Sequence, residues 1–226
     1  MKFQQSLLFM LLVLFQSCGN QAEPKTETTK PMTTETEELE EVTVKKRIVF
    51  FGNSITAGYQ LSEEEAFPAL IKQRLDSLEL EYEVQNAGLS GETTAGGVER
   101  VDWILKGDID IFVLELGAND GLRGLPLTET EKNLGQIIEK VRTEHPKARI
   151  LLLGMEVPPN MGDDYAAEFR EVFRRVAENH NVELLPFLLK GVAGIQELNL
   201  PDGIHPTPKG HRILSHTVWE ALQPLL

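Results

Sequence analysis

The chain has 226 residues, of which 41% are hydrophobic, and a formal net charge of −13 at pH 7. This length and composition suit one globular domain with some additional sequence. An acidic chain without a cluster of Lys and Arg argues against nucleic acid as a partner. Its single cysteine excludes an intrachain disulfide.

The amino terminus has the pattern of an export signal. Met1-Lys2 precedes an apolar run from Leu7 to Phe15, which is too short to span a membrane. The only cysteine, Cys18, follows shortly after that run, and this arrangement resembles a bacterial lipoprotein signal. We therefore predict that residues 1–17 are a signal peptide and that Cys18 is lipidated. The exported protein would then sit at the cell envelope and contact the membrane only through this anchor.

Residues 18–45 are rich in Thr, Glu, Lys and Pro and contain few large apolar side chains. Such a segment cannot bury enough surface to offset the entropy of folding. Between residues 18 and 43 it carries seven Glu and two Lys, a net charge of −5. We predict a disordered acidic tether over residues 18–45, followed by a folded domain over residues 46–226.

From residue 46 onward, short apolar runs alternate with segments that have apolar residues at helical spacing, which is typical of βαβ units. The predicted strands are Ile48–Phe51, Tyr82–Gln85, Ile109–Leu116, Ile150–Leu153 and Glu183–Leu185. The predicted helices are Ala66–Leu78, Thr94–Leu105, Glu129–Glu144, Tyr165–Asn179 and Pro208–Leu222. This order predicts an α/β fold, a three-layer α/β/α sandwich of the flavodoxin-like kind with a five-stranded, mostly parallel sheet.

Ser54 lies in a turn directly after the first strand, and a glycine lies on each side of that turn. The apolar run Ile48–Phe51 indicates a strand buried on both faces, so the turn lies at the carboxyl edge of the sheet, where open α/β folds bind ligands. Gly52 and Gly58 allow a tight turn there. If a helix begins just after Ser54, its free N–H groups face the hydroxyl and any oxyanion that forms there. This position favours the interpretation of Ser54 as a nucleophile. The alternative is that this serine is an ordinary helix N-cap.

Two further loops follow strands of the predicted sheet. Gly91, in the small-residue turn after the second strand, can bring a backbone N–H close to a developing oxyanion. Thr93 or Thr94 is expected to cap the helix that follows. Asn119, which lies in the loop Glu115–Gly121, offers a neutral amide donor for the same oxyanion, or else it is a simple turn residue.

Asp202 and His205 lie in one turn near the carboxyl end. At this spacing the carboxylate can accept a hydrogen bond from the Nδ1–H of the imidazole and leave Nε2 facing a serine. Thr207 and Pro208 are expected as the N-cap and first residue of the last helix, which would fix the imidazole just ahead of that helix. A metal site on Asp202 and His205 would need a third ligand, and none is close in sequence.

Together these motifs resemble the SGNH, or GDSL-type, hydrolases, and more closely the bacterial group of acyl thioesterases, lysophospholipases and arylesterases. The resemblance covers nearly all of residues 47–226 and rests on the motifs Gly-Asn-Ser54-Ile-Thr-Ala-Gly-Tyr, Ser-Gly91-Glu-Thr-Thr, Leu-Gly-Ala-Asn119-Asp-Gly-Leu-Arg-Gly, Leu184-Leu-Pro-Phe and Asp202-Gly-Ile-His205-Pro. It implies that Ser54 is the nucleophile, His205 the general base and Asp202 the residue that orients the imidazole. It further implies an oxyanion hole formed by the backbone N–H groups of Ser54 and Gly91 and the Asn119 amide.

The activity that the resemblance implies is a serine esterase that hydrolyses esters or acyl thioesters with a single acyl chain through an acyl-enzyme, without a metal or cofactor. One departure is that Asn53 stands where the family usually has Asp. Two alternatives remain open. One is a carbohydrate O-deacetylase on the same framework. The other is a flavin- or phosphate-binding module in which Ser54 and Thr56 cradle a phosphate, and Asp202 and His205 would then have no role.

The loops between these motifs are short, and none is long enough to form a lid. We therefore expect a shallow groove for one acyl chain. We expect its apolar wall to contain Leu122 and Leu125, after the Asn119 turn, and Val157 and Pro158, after the fourth strand.

Overall fold

A five-stranded sheet organises residues 45–226, which are the residues that the structure, a computed structural model, describes. The strands are β1 (Lys46–Gly52), β2 (Tyr82–Gly88), β3 (Ile111–Glu115), β4 (Arg149–Leu153) and β5 (Glu183–Leu185). The helices are α1 (Ser54–Ala57), α2 (Phe67–Ser77), α3 (Thr94–Ile104), α4 (Ala118–Leu122), α5 (Leu127–Glu144), α6 (Asp163–His180) and α7 (Pro208–Leu222). Single turns of 3₁₀ helix cover Glu63–Glu65, Pro159–Met161, Gln196–Leu198 and Gln223–Leu225.

The sheet has the strand order β2-β1-β3-β4-β5, and all of its strand pairs are parallel. The predicted α/β fold is thus confirmed. The chain passes from β1 to β2 on one side and then returns to β3 on the other side of β1. Loops that leave the sheet on either side of such a switch point diverge and open a crevice at the carboxyl edge. The loops after β1 and β3 border this crevice.

Helices cover both faces of β1, whose residues Ile48–Phe51 are buried. Successive side chains of a strand point to opposite faces. Phe50 packs edge-on against Phe67 of α2, with ring centroids 5.5 Å apart. Phe51 packs on the opposite face, where the guanidinium of Arg100 in α3 lies 4.2 Å from its ring centroid. Helix α2 packs with α7, and α5 packs with α3 and α6, which gives the predicted three layers.

The predicted third strand, Ile109–Leu116, is longer at both ends than β3. Ile109 and Leu116 are both buried, although they lie outside the strand. The apolar run therefore extends beyond the strand itself, because residues that flank a strand can pack into the same core. The short helix α4 was not predicted, since five residues are too few to show helical periodicity.

Helix α7 is tied to α2 through His211, which is 1% exposed. Its Nδ1 accepts a hydrogen bond of 3.1 Å from the backbone N–H of Phe67 at the start of α2. Burial lowers the pKa of His211 to about 4. The imidazole is therefore neutral near pH 7 and joins two helices, which distinguishes His211 from the candidate base His205.

The predicted signal peptide, the lipidated Cys18 and nearly all of the acidic tether lie outside the described residues and stay predictions. Strand β1 begins at Lys46. Among the helices that the structure describes, none is both long and apolar enough to cross a membrane.

Candidate active site

The loops at the carboxyl edge of the sheet bring together Ser54, His205 and Asp202. The Ser54 hydroxyl lies 2.9 Å from His205 Nε2, although 151 positions separate the two residues in sequence. His205 Nδ1 lies 2.8 Å from Oδ2 of Asp202. The three side chains therefore form one hydrogen-bonded chain, in which the imidazole is placed to take a proton from the hydroxyl.

The turn that carries Ser54 leaves its hydroxyl free of any capping role. Helix α1 begins at Ser54, and the N-cap is Asn53, whose Oδ1 accepts a hydrogen bond of 3.0 Å from the N–H of Ile55. Gly58 ends the helix with φ 74°, a left-handed conformation that glycine adopts without strain. Helix α1 has only four residues, and the N–H groups of Ile55, Thr56 and Ala57 already donate hydrogen bonds. Its contribution to the site is therefore the N–H of Ser54 and not a helix macrodipole.

Asp202 is held by its own turn. Its Oδ1 accepts hydrogen bonds of 3.0 Å from the backbone N–H groups of Ile204 and His205. Burial alone would raise the pKa of Asp202, but these hydrogen bonds and the one from the imidazole lower it below its ordinary value. The carboxylate therefore stays charged beside Nδ1, which leaves Nε2 to face Ser54.

The turn that carries His205 is fixed on both sides. The His205 carbonyl accepts a hydrogen bond of 2.7 Å from the N–H of Leu200, and the N–H of Thr207 donates to the Leu198 carbonyl at 2.8 Å. Thr207 is the N-cap of α7, and its side chain accepts a hydrogen bond from the N–H of Gly210 at 3.3 Å. The imidazole is therefore anchored to the start of the last helix, as the sequence predicts.

Asn119 lies in α4 and lines the same cavity as Ser54. One N–H of its amide donates to the Glu92 carbonyl at 3.0 Å, which fixes the orientation of the side chain. An Asn amide has a second N–H, which remains for a ligand. The alternative role, a simple turn residue, does not account for the position of this side chain in the cavity wall.

Gly91 lies between β2 and α3, in a turn closed by a hydrogen bond of 3.1 Å from the Glu92 N–H to the Leu89 carbonyl. Its φ is 81°, a left-handed value that favours glycine. Within residues 45–226, the backbone N–H groups of Gly91 and Ser54 donate no hydrogen bond. Gly91 is not among the residues that line the cavity, so its place in an oxyanion hole stays a prediction.

A cavity of about 480 Å³ opens beside Ser54. Leu122, Val157 and Pro158 line it, as expected from the sequence, whereas Leu125 does not. Further apolar lining comes from Ile55, Met155, Phe187, Leu189, Ala193 and Ile204, none of which was expected in the wall from the sequence. Met155, Leu189 and Ala193 lie in the loops after β4 and β5, outside the motifs named above.

Sequence reasoning also gave no role to two side chains, one beside His205 and one beneath the turn that carries Ser54. The ring of Tyr59 lies against the imidazole of His205, with centroids 4.4 Å apart. Glu115 lies beneath α1, where burial raises its pKa to about 7 against the opposing effect of hydrogen bonds from Thr56 and Asn53. The available signal for Glu115 is a carboxylate at the end of an otherwise apolar strand, since such a group needs partners when buried.

The structure argues against the phosphate-binding alternative. The Thr56 hydroxyl donates a hydrogen bond of 2.8 Å to Oε2 of Glu115, and the Ser54 hydroxyl faces His205. Neither hydroxyl is free to bind a phosphate, and Glu115 in its ionised form would repel an anion. In the described part of the chain, no group of three or more His, Cys, Asp or Glu residues is arranged to hold a metal ion.

Comparison with known proteins gives consistent matches across the domain. Residues 50–213 match the GDSL-like Lipase/Acylhydrolase family. Esterase TesA of Pseudomonas aeruginosa is 39% identical over 180 residues, which cover 79% of this chain and 89% of that protein. Thioesterase 1/protease 1/lysophospholipase L1 of Escherichia coli K12 is 34% identical over 180 residues, which cover 79% of this chain and 84% of that protein. A crystal structure of TesA matches with a TM-score of 0.77 and 38% identity, over 80% of this chain and 100% of that chain.

Proposed function

Since this chain belongs to the GDSL-like lipase/acylhydrolase family and is therefore a hydrolase of ester bonds, we propose that it cleaves esters or acyl thioesters with a single acyl chain. The observation that carries this proposal is the hydrogen-bonded chain from Ser54 through His205 to Asp202. It lies beside an apolar cavity. An acyl chain bound in that cavity would present its carbonyl carbon to the Ser54 hydroxyl.

In the proposed acylation step, Oγ of Ser54 attacks the carbonyl carbon while His205 Nε2 takes the hydroxyl proton. The Asp202 carboxylate stabilises the imidazolium that forms. The carbonyl oxygen becomes an oxyanion, which accepts hydrogen bonds from the Asn119 amide and from the Ser54 and Gly91 N–H groups. Collapse of the tetrahedral intermediate breaks the ester or thioester bond. The leaving alcohol or thiol takes its proton from Nε2, and the acyl group stays on Ser54.

Deacylation repeats these steps with water as the nucleophile. His205 Nε2 takes a proton from the water as its oxygen attacks the acyl carbonyl. The second tetrahedral intermediate is stabilised by the same donors and then releases Ser54, which regains a proton from the imidazole. The products are a carboxylic acid and the free enzyme, and the side chains and backbone N–H groups named above account for each step.

The shape and chemistry of the cavity favour a single-chain substrate. Its volume of about 480 Å³ is that of an ordinary small-molecule site, and much of its lining is apolar. Each buried methylene of an acyl chain contributes about 0.8 kcal/mol. The cavity should therefore favour longer chains until it is filled, and esters with two acyl chains should be poor substrates.

Leu122→Ala is expected to lower kcat/KM for medium-chain nitrophenyl esters about tenfold, because it removes apolar contact with the acyl chain. The acetate ester, whose acyl group ends in a single methyl, gains little from an apolar wall and should react at nearly the wild-type rate. The measurement is kcat/KM for nitrophenyl esters of increasing chain length in the wild type and the variant.

Leu125→Ala is the matched control for this series. Leu125 is the same residue type, in the turn that directly follows α4, and it is 36% exposed compared with 41% for Leu122, but it does not line the cavity. The chain-length profile of this variant should follow the wild type. A sharp preference for acetate in the wild type, unchanged by Leu122→Ala, would contradict the acyl-chain proposal and favour a carbohydrate deacetylase.

We further propose that the enzyme is exported and held at the membrane through Cys18. The support is the position of Cys18 between an apolar run and an acidic, Thr-rich segment. Cys18→Ser is expected to move the protein from the membrane fraction to the soluble fraction, with esterase activity in solution unchanged. Mass spectrometry of the wild-type amino terminus is the second measurement, and a membrane-bound variant together with an unlipidated wild type would rule out the anchor.

A further inference from the structure

Glu115, the last residue of β3, is a buried carboxylate whose hydrogen-bond donors are all neutral. It is 1% exposed. Oε1 accepts a hydrogen bond of 2.6 Å from Nδ2 of Asn53. Oε2 accepts hydrogen bonds from the Asn53 N–H at 3.1 Å, the Thr56 N–H at 3.3 Å and the Thr56 hydroxyl at 2.8 Å. All four donors belong to the turn that carries Ser54.

A buried carboxylate without a cation is unfavourable unless hydrogen bonds satisfy it. The carboxylate of Glu115 needs these donors, and the donors also need the carboxylate, because they would be left without an acceptor if it were absent. The side chains of Glu115 and Thr56 also pack closely against the backbone of β1. A Cβ at Gly52, which is paired with Glu115 across β1 and β3, would lie 2.7 Å from Oε2 of Glu115 and 2.2 Å from the Thr56 hydroxyl.

Asn53 links this carboxylate to the candidate nucleophile. Because Nδ2 of Asn53 donates to Glu115, the other end of the amide, Oδ1, points away from the carboxylate. Oδ1 accepts the N–H of Ile55 at 3.0 Å and lies 3.4 Å from the Ser54 hydroxyl. The orientation of the Asn53 amide, and with it the start of α1, is thus set from beneath by Glu115.

We propose that Glu115 is a positioning residue for catalysis: its carboxylate holds the turn of α1 so that the Ser54 hydroxyl lies within hydrogen-bond distance of His205. This inference rests on the proposed function. A neutral amide at position 115 has one acceptor oxygen and one NH₂ group. Whichever way it is oriented, its NH₂ group faces N–H donors of the turn, so the turn must shift.

Glu115→Gln is expected to lower kcat for a nitrophenyl ester about a hundredfold, because a displacement of about 1 Å at the reacting atoms costs that much. The Michaelis constant should change little, since Glu115 does not line the cavity. The rate at which an organophosphonate ester modifies Ser54 should fall in parallel with kcat, because that reaction depends on the same nucleophile. Steady-state kinetics and the rate of inactivation are the two measurements.

Asp110→Asn is the matched control, because Asp110 directly precedes the opposite end of the same strand. Its carboxylate accepts the N–H of Arg47 at 2.8 Å, so this variant also removes a carboxylate that holds β1. It should lower the stability to urea while leaving kcat and the inactivation rate unchanged.

Thr56→Val is a second test of the positioning role. It removes one of the four hydrogen bonds to Glu115 with little change in shape, and it should lower kcat by a smaller factor than Glu115→Gln does.

The outcomes separate this inference from the proposed function. If Ser54→Ala kept its activity, the proposed function would fail. If Ser54→Ala were inactive while folded Glu115→Gln kept kcat within about threefold of the wild type, only the positioning role would be wrong. If Glu115→Gln did not fold, Thr56→Val would decide, and an unchanged kcat in that variant would overturn the inference.

Discussion

Ser54→Ala and His205→Ala are each expected to lower the turnover of a nitrophenyl ester by on the order of a million-fold, because the two residues act as one proton-transfer unit. The hydroxyl and Nε2 are 2.9 Å apart, so either change removes the same step. Both side chains line the cavity, and their loss leaves the core unchanged. The measurements are steady-state turnover and urea unfolding, which should show a stability near that of the wild type.

The double variant provides a sharper test than either single one. If Ser54 and His205 act together, Ser54→Ala combined with His205→Ala should be barely less active than each alone. His216→Ala serves as the control, because His216 is also on the carboxyl-terminal segment but its side chain is 65% exposed, and it should retain full activity. If Ser54→Ala kept more than a tenth of the wild-type turnover, Ser54 would not be the nucleophile.

Much of this site could be predicted because its residues follow strands. A parallel sheet places the loops after its strands at one edge, so the turns of Ser54 and Asn119 were expected to meet. The pairing of Asp202 with His205 is local, since only two residues separate them, and one turn determines its geometry. These inferences need only the strand pattern and the spacing of polar residues.

The role of Glu115 could not be predicted in this way. Its contacts with Asn53 and Thr56 depend on the register between β1 and β3, which pairs Gly52 with Glu115. Nothing in the spacing of residues along either strand determines that pairing. A buried carboxylate in an apolar strand indicates that partners exist, but only the folded sheet identifies them.

The cavity wall shows a second limit of sequence reasoning. Leu122 and Leu125 were expected to act alike, yet only Leu122 lines the cavity. The difference arises from α4, which ends at Leu122 and is followed by a turn in which the Leu125 N–H donates to the Asp120 carbonyl at 3.0 Å. The apolar residues after β5 reach the wall because β5 is parallel to the other strands, so the segment after it leaves the sheet at the same carboxyl edge.

Asn119→Ala is expected to lower kcat about a hundred- to a thousandfold, the usual loss for one oxyanion donor. The Michaelis constant should change little, because the full negative charge on the carbonyl oxygen develops only in the transition state. The side chain is already fixed by its hydrogen bond to the Glu92 carbonyl, so its free N–H needs no reorganisation when the oxyanion forms. The measurements are kcat and KM for a nitrophenyl ester.

Asn133→Ala is the matched control for this prediction. Its amide also donates a structural hydrogen bond, to the Thr94 hydroxyl at 3.1 Å, but Asn133 does not line the cavity, so its loss should affect stability and leave kcat unchanged. Because Asn119→Ala also releases the Glu92 carbonyl, its stability to urea must be compared with that of Asn133→Ala. A similar loss of stability in both variants, with kcat reduced only in Asn119→Ala, assigns the effect to the oxyanion. A raised KM with kcat intact would instead make Asn119 a contact for the bound substrate.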